Sequence, residues 1–234
     1  MNGKLYLIPT PLGEEFLPSD YCSQIKTLLP NLKFFIVEEL KTARRFLKKI
    51  DPKINIDEVT FFILNEHSQV AEYEEFLKPI ERENNIGLLS EAGCPAVADP
   101  GSQIVKIAHS KNIDIIPLIG PSSITLALMA SGLNGQNFAF LGYLPIKPIE
   151  RKSKIQLIEK RSKLEKQTQI FIEAPYRNIS IFNDIIANCN PETQLCIACN
   201  ITQNDEYIKT KKIKDWKKYI PDINKKPCVF LILA

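Results

Sequence analysis

The sequence predicts an α/β protein of two domains, the first built on a parallel sheet flanked by helices and the second on a mixed sheet. Three observations carry this. Over residues 1–118, five short apolar runs alternate with helix-like segments, the pattern of parallel strands joined by crossover helices. Over residues 119–234, strand-like runs recur with fewer crossover helices between them, which points to a mixed sheet. The charge also changes sign: residues 1–120 carry 13 Lys/Arg and 17 Asp/Glu, and residues 121–234 carry 17 and 10. A length of 234 residues suits one large or two small domains.

Taken in order, residues 4–8 form the first apolar run, broken by the rigid turn Pro9-Thr10-Pro11-Leu12-Gly13. Ser19 suits an N-cap, and Pro30 stops the helix that follows. Residues 33–37 are the second strand; Glu38 and Glu39 then open a helix that ends before Asp51-Pro52. Residues 60–64 are the third strand, followed by Asn65-Glu66-His67-Ser68 and a helix to about residue 83. Residues 86–89 are the fourth strand, and 113–116 the fifth after an intervening helix. Pro121-Ser122-Ser123 starts a further helix. The second domain then reads as strands over 138–143, 169–173, 194–201, 207–209 and 228–233. A basic helix is expected over 151–165, another to about residue 189, and a helical stretch over 213–219.

The loop over residues 90–101, Ser-Glu-Ala-Gly-Cys-Pro-Ala-Val-Ala-Asp-Pro-Gly, is the stiffest connection in the chain. Its prolines fix φ and remove donors, and its glycines allow close approach or positive φ. In a parallel sheet every loop that follows a strand gathers on one edge, where open α/β sheets bind ligands. That edge would collect residues 9–13, Glu38 and Glu39, residues 65–68 and the 90–101 loop. No Gly-x-Gly-x-x-Gly follows the first strand and no Walker A sequence exists, so nicotinamide, flavin and nucleoside triphosphate readings lose their main support.

Composition narrows the remaining classes. No apolar run reaches membrane-spanning length and the N-terminal residues lack a signal-peptide plan, so a cytoplasmic protein is expected. Six scattered cysteines give no disulfide framework. Cys196 and Cys199 lie three apart on a strand, so they point to opposite faces and suit neither a metal nor a redox pair. With two histidines in the chain, no metal site is expected. The basic second half, crowded with lysine over 147–166 and 209–226, fits a polyanion such as RNA or a solvated helix face.

Several segments together resemble the tetrapyrrole methylase family of S-adenosylmethionine-dependent methyltransferases. Within it they are most similar to the branch that methylates ribose 2′-hydroxyls of small-subunit ribosomal RNA. The carriers are residues 8–13; Glu38-Glu39 with Arg44-Arg45; Asn65-Glu66-His67; residues 90–95 with 98–101; 120–123 with 130–133; 140–145; and Glu173-Ala174-Pro175-Tyr176-Arg177. The resemblance implies two α/β domains with S-adenosylmethionine in the cleft between them, in a homodimer. By the same resemblance Pro9, Pro11 and Gly13 face the cofactor, and Glu91, Ala92, Gly93, Cys94 and Pro95 hold it through backbone groups. Ser122 and Ser123 cap one side, and Ala174 with Pro175 closes over the adenine.

The substrate side departs from that branch: Glu14-Glu15-Phe16 replaces Asn-Leu after Gly13, and Glu39-Leu40-Lys41-Thr42-Ala43-Arg44 stands where Asp-Thr-Arg-His-Thr-Arg is usual. Tyr176 replaces His, and Cys199-Asn200-Ile201-Thr202-Gln203 stands where Arg-Glu-Leu-Thr-Lys is usual. Methyl transfer to a hydroxyl needs in-line positioning and a base. Glu38, Glu39, Glu66 and His67 are the candidate bases, while Arg44 and Arg177 are the candidate phosphate contacts. Glu38 and Glu39 suit a helix N-terminus equally well. Two other readings stay open. One is a precorrin or uroporphyrinogen methyltransferase, against which Ala92-Gly93-Cys94-Pro95 lacks the Gly-Gly-Asp-Pro form. The other is a non-catalytic cofactor- or RNA-binding relative.

Overall fold

The computed structural model describes residues 3–13, 19–64 and 70–234, with residues 19–22 and 70–71 described by backbone alone. The chain divides into two compact units, Met1–Ser122 and Ser123–Ala234.

The first unit runs β1 (Leu5–Ile8), α1 (Ser19–Leu28), β2 (Leu32–Val37), α2 (Leu40–Ile50), β3 (Thr60–Ile63), α3 (Val70–Glu81), β4 (Asn85–Leu89), α4 (Gly101–Ser110) and β5 (Ile115–Pro117). The strand order is β3-β2-β4-β1-β5, and every pairing is parallel. Neighbouring residues on a strand serve opposite faces. Ile8, Phe35 and Leu89 join α1 and α2 in one core, while Leu5, Ile36 and Leu88 join α3 and α4 in the other. Both faces are therefore apolar, as a sheet covered on two sides requires. Gly87 is needed at the centre of β4: a Cβ there would come within 2.7 Å of the Phe35 ring and 2.9 Å of Ile8 Cδ1.

The register puts Ile8 beside Leu89, Ile36 beside Leu88 and Val37 beside Ile63. The strands end level, so the loops after β1, β2 and β4 leave by the same edge. Among the boundaries that differ from the sequence expectation, two have a clear cause. The helix expected to open at Glu38-Glu39 starts at Leu40, because the Glu39 carboxylate caps it by accepting the Thr42 N–H at 2.8 Å. The fifth strand lies at Ile115–Pro117 rather than 113–116. Its pairing with β1 decides this: Leu5 N–H donates to Asp114 O and Leu118 N–H to Leu7 O. An edge strand tolerates Pro117.

The second unit runs α5 (Ser123–Ser131), β6 (Phe138–Tyr143), α6 (Pro148–Glu165), β7 (Thr168–Ile172), α7 (Asn178–Asn188), β8 (Gln194–Cys199), β9 (Tyr207–Lys212), α8 (Ile213–Trp216) and β10 (Cys228–Leu233). Its sheet is mixed, in the order β6-β7-β10-β8-β9, with only β6 and β7 parallel. Phe171 and Phe230 stack at its centre, and Trp216 closes one end with its indole N–H on Leu195 O at 2.9 Å. Three bounds move. β8 stops at Cys199, where Asn200 takes a positive φ of 49°. β9 continues to Lys212, paired with Gln194, and the stretch after it is a single helical turn. Cys196 and Cys199 do face opposite sides: Cys199 belongs to the core beside Cys228, while Cys196 lies across from Thr210. The contact with the Cys199 sulfur, with burial adding to it, pushes the Cys228 thiol up.

Among the described residues no helix is long and apolar enough to cross a membrane, and no group of three His, Cys, Asp or Glu is placed to hold a metal ion.

Candidate active site

The edge where β1, β2 and β4 end is built from two loops bonded to each other. Thr10 and Gly93 exchange backbone hydrogen bonds of 2.9 and 3.1 Å, a bridge that ties the Pro9–Gly13 turn to the 90–101 loop. The Thr10 hydroxyl donates to Ser90 O at 3.1 Å, and the Ser90 hydroxyl donates to Gly93 O at 2.8 Å. Gly93 sits at φ +79°, a conformation that favours glycine. Further along, Ala96 and Ala98 also take positive φ, of 66° and 59°. Asp99 Oδ1 holds that turn by accepting the N–H groups of Ala96 at 2.9 Å and Gly101 at 2.7 Å. Strained backbone of this kind persists only where its surroundings over-determine it, and it clusters at functional sites.

Between these loops and α2 lies a cavity of about 560 Å³, a size suited to a small-molecule ligand. Residues 10–13 and 89–92 form one wall. Val37, Ala43 and Phe46 form an apolar side, and Thr42, Arg45 and Lys49 add polar and cationic groups from α2.

The acids at this edge differ in their engagement. Glu39 is committed to capping α2, and the Thr42 backbone N–H holds its carboxyl below the usual range. Thr42 Oγ1 also lies 2.9 and 3.0 Å from the two Glu91 oxygens, so α2 and the 90–101 loop share one hydroxyl. Among the described residues the Glu38 carboxylate has one long contact, from Glu91 N–H at 3.4 Å. Burial raises its pKa, and the charges of Asp99 and Glu91 add to the rise. Asp99 is itself raised by burial. The Cys94 thiol donates to Pro121 O at 3.4 Å, and burial raises its pKa. Pro95 is buried within the loop.

The remaining sequence candidates fall as follows. Pro11, Gly13, Glu91 and Ala92 line the cavity, and Pro9 leads into it. Glu66 and His67 lie outside the described residues. Arg44 does not line the cavity; its guanidinium stacks 5.7 Å from the Phe61 ring centroid. Arg45 and Lys49 were missed by sequence reading. The signal was in α2: Ala43, Phe46, Leu47 and Ile50 are its buried positions, and 45 and 49, four apart, share a helix face.

In the second unit, Ala174 and Pro175 follow β7, and Ser123 opens α5; Ser122 closes the first unit. Ala174 N–H donates to Glu173 Oε1 at 2.8 Å. Arg177 Nη2 bonds the other Glu173 oxygen at 2.6 Å, with Leu144 O and Pro145 O at 3.4 Å. Glu173 is 1% exposed in this pair and Arg177 13%. The guanidinium is thus a strut beneath the turn. Tyr176 beside it is exposed.

The two-unit α/β fold has a solved counterpart. The methyltransferase CobJ matches with a TM-score of 0.66, covering 99% of this chain and 94% of that one, at 14% identity. The likeness gives the class of fold: two α/β units arranged in sequence as in that protein. No family model matches the chain. Ribosomal RNA small subunit methyltransferase I of Buchnera aphidicola subsp. Schizaphis graminum is 31% identical over 235 residues, covering 99% of this chain and 78% of its own length. Its namesake in Escherichia coli O157:H7 is 28% identical over 207 residues, covering 88% and 68%. The chain belongs to the ribosomal RNA small subunit methyltransferase I family.

Proposed function

We propose that the chain transfers a methyl group from S-adenosylmethionine to a ribose 2′-hydroxyl of small-subunit ribosomal RNA, in the cytoplasm. The observation that carries this reading is the cavity in which the bridged loops meet Arg45 and Lys49. The cavity fits the cofactor by size and by its mixture of apolar wall, backbone groups and the Glu91 carboxylate. When bound, the cofactor supplies an electrophilic methyl group on a sulfonium sulfur.

The chain's own residues have the rest of the task. The Thr10–Gly93 bridge holds the two loops at fixed spacing, so that little reorganisation is needed on binding. Arg45 and Lys49 hold acceptor phosphates. Glu38 takes the proton from the acceptor hydroxyl. It suits this role better than Glu39, whose Oε2 is bound in the cap, and a raised pKa brings it closer to the working pH of a general base. The relatives' names support RNA as the acceptor class. A homodimer is part of the same reading; the exposed Phe138 and Tyr143 at the ends of the edge strand β6 are apolar surface that a second copy would cover.

The test uses small ribosomal subunits from cells lacking the modification, incubated with the protein and tritiated S-adenosylmethionine, followed by digestion to nucleosides. Label in a 2′-O-methylnucleoside is the expected result. No label in RNA would reject the acceptor, and label in a porphyrinogen would replace it.

A further inference from the structure

The second unit carries a basic and aromatic edge with no role in the reading above. Between Lys209 and Tyr219 the chain has six lysines and one acid, Asp215. These residues form β9, the last strand of the mixed sheet, then α8 and the turn after it. Their lysines are not alike. Lys212 and Lys214 both grip Glu192, at 2.7 and 2.6 Å, and together hold its carboxyl down to about 2. Lys209, Lys217 and Lys218 are exposed and have no carboxylate within 4 Å among the described residues. The other acids nearby are engaged elsewhere: Asp205 and Asp222 on Lys226, and Glu206 on the Thr202 N–H.

Lysines alone are a common guard on an edge strand. A guard has no use for exposed aromatic surface, and here there is some. Lys211 Nζ lies 5.1 Å from the buried Trp216 ring centroid and 5.3 Å from that of Tyr219. This pair of cation–π contacts fixes the Tyr219 ring, which remains 48% exposed next to Ile220 at 67%. Helix α6 offers the contrast. It too is lysine-rich, but its exposed large side chains are Ile149, Leu157 and Leu164, and its cations are interspersed with Glu150, Glu159 and Glu165.

We infer that the β9–α8 edge is a second contact surface for single-stranded RNA: Tyr219 is a platform on which a base stacks, and Lys209, Lys217 and Lys218 meet the flanking phosphates. Stacking on an aromatic side chain beside a run of unpaired cations is the recurrent means of holding single strands without reading their sequence. The inference rests on the proposed RNA acceptor, and adds a surface that brings the RNA to the enzyme without touching the reacting atoms.

The experiment measures binding of a fluorescein-labelled 20-nucleotide single-stranded RNA by anisotropy at several salt concentrations, with calorimetric binding of S-adenosylmethionine as a fold control. The triple variant Lys209→Ala/Lys217→Ala/Lys218→Ala should weaken RNA binding about tenfold or more and flatten the salt dependence by about two counterions, at ~0.7 per phosphate contact. Tyr219→Ala should weaken it several-fold with the salt slope unchanged. Lys152→Ala/Lys160→Ala/Lys163→Ala on α6, an equal loss of charge, should change it less than about twofold. All three should bind S-adenosylmethionine as the unaltered protein does. An unchanged slope in the first triple variant, or an equal loss in the α6 variant, overturns the inference while leaving the RNA acceptor standing. An unaltered protein that binds S-adenosylmethionine but no RNA overturns both.

Discussion

The two units treat their polar residues in opposite ways. In the parallel sheet of the first unit, every strand delivers its following loop to one edge. Glu91, Arg45 and Lys49 line a cavity there, and Glu38, which does not line it, meets the Glu91 N–H beside it. Around the mixed sheet of the second, the charged and amide side chains that follow its inner strands and open its helices are consumed as internal struts. Arg177 is bound to Glu173 and two carbonyls. Arg151, 7% exposed, reaches Asp184, Ser180 and Ile146 O. Asn178 ties α7 to the carbonyls of Ile223 and Lys226. The comparison teaches that a charged residue after a strand is a functional candidate only when the topology leaves it at an open edge. Where antiparallel neighbours and returning turns close over it, the same residue holds the fold together.

The largest expected effect tests the strut. Arg177→Ala should destabilise the second unit by about 3–5 kcal/mol, because it leaves the buried Glu173 carboxylate unpaired. Urea unfolding monitored by Trp216 fluorescence would show it. An unchanged midpoint with lost activity would instead make Arg177 a substrate contact and erase the contrast.

Next is Glu38. Glu38→Gln should lower the methyl-transfer rate by about 10²–10⁴-fold, the usual range for a lost general base. Its effect on stability has the opposite sign. A carboxyl whose pKa is raised by folding contributes stability that is fully present below its unfolded value of 4.5 and is lost as pH rises through the folded one. At pH 7 the ionised Glu38 is therefore unfavourable. Glu38→Gln should stabilise the protein at pH 7 and change nothing near pH 4. Thermal melts of the two proteins at the two pH values check the sign.

A smaller effect separates neighbouring arginines. Arg45→Ala should reduce kcat/KM for RNA about tenfold, while Arg44→Ala, whose guanidinium lies over Phe61, should change it less than about twofold. Equal losses would mean that the face of α2 has no bearing on the acceptor.

Much of this was legible in the sequence. The alternation of apolar runs such as Phe34–Val37 and Ile86–Leu89 with helical segments identifies the parallel sheet, and the order of strands then dictates the shared edge. The stiffness of the 90–101 loop was visible in Pro95, Pro100, Gly93 and Gly101. What was not legible depended on pairing. β5 is displaced along the chain because its hydrogen bonds with β1 decide its limits. Glu39 became a cap and Glu38 did not, a difference of one residue in where α2 begins. Arg177 looked like a phosphate contact because its partner, four residues earlier, comes back to it only through the turn that opens at Pro175.

The proposed function puts the methyl donor in the cavity at the first unit's sheet edge. The direct measurement is a calorimetric titration with S-adenosylmethionine of the unaltered protein and of Ala92→Trp. Ala92 is exposed and lines the cavity, so the indole would fill the space without disturbing the core. Micromolar binding in the first, lost in the second at an unchanged melting temperature, is the predicted result. Equal binding by both would contradict the account and put the donor elsewhere.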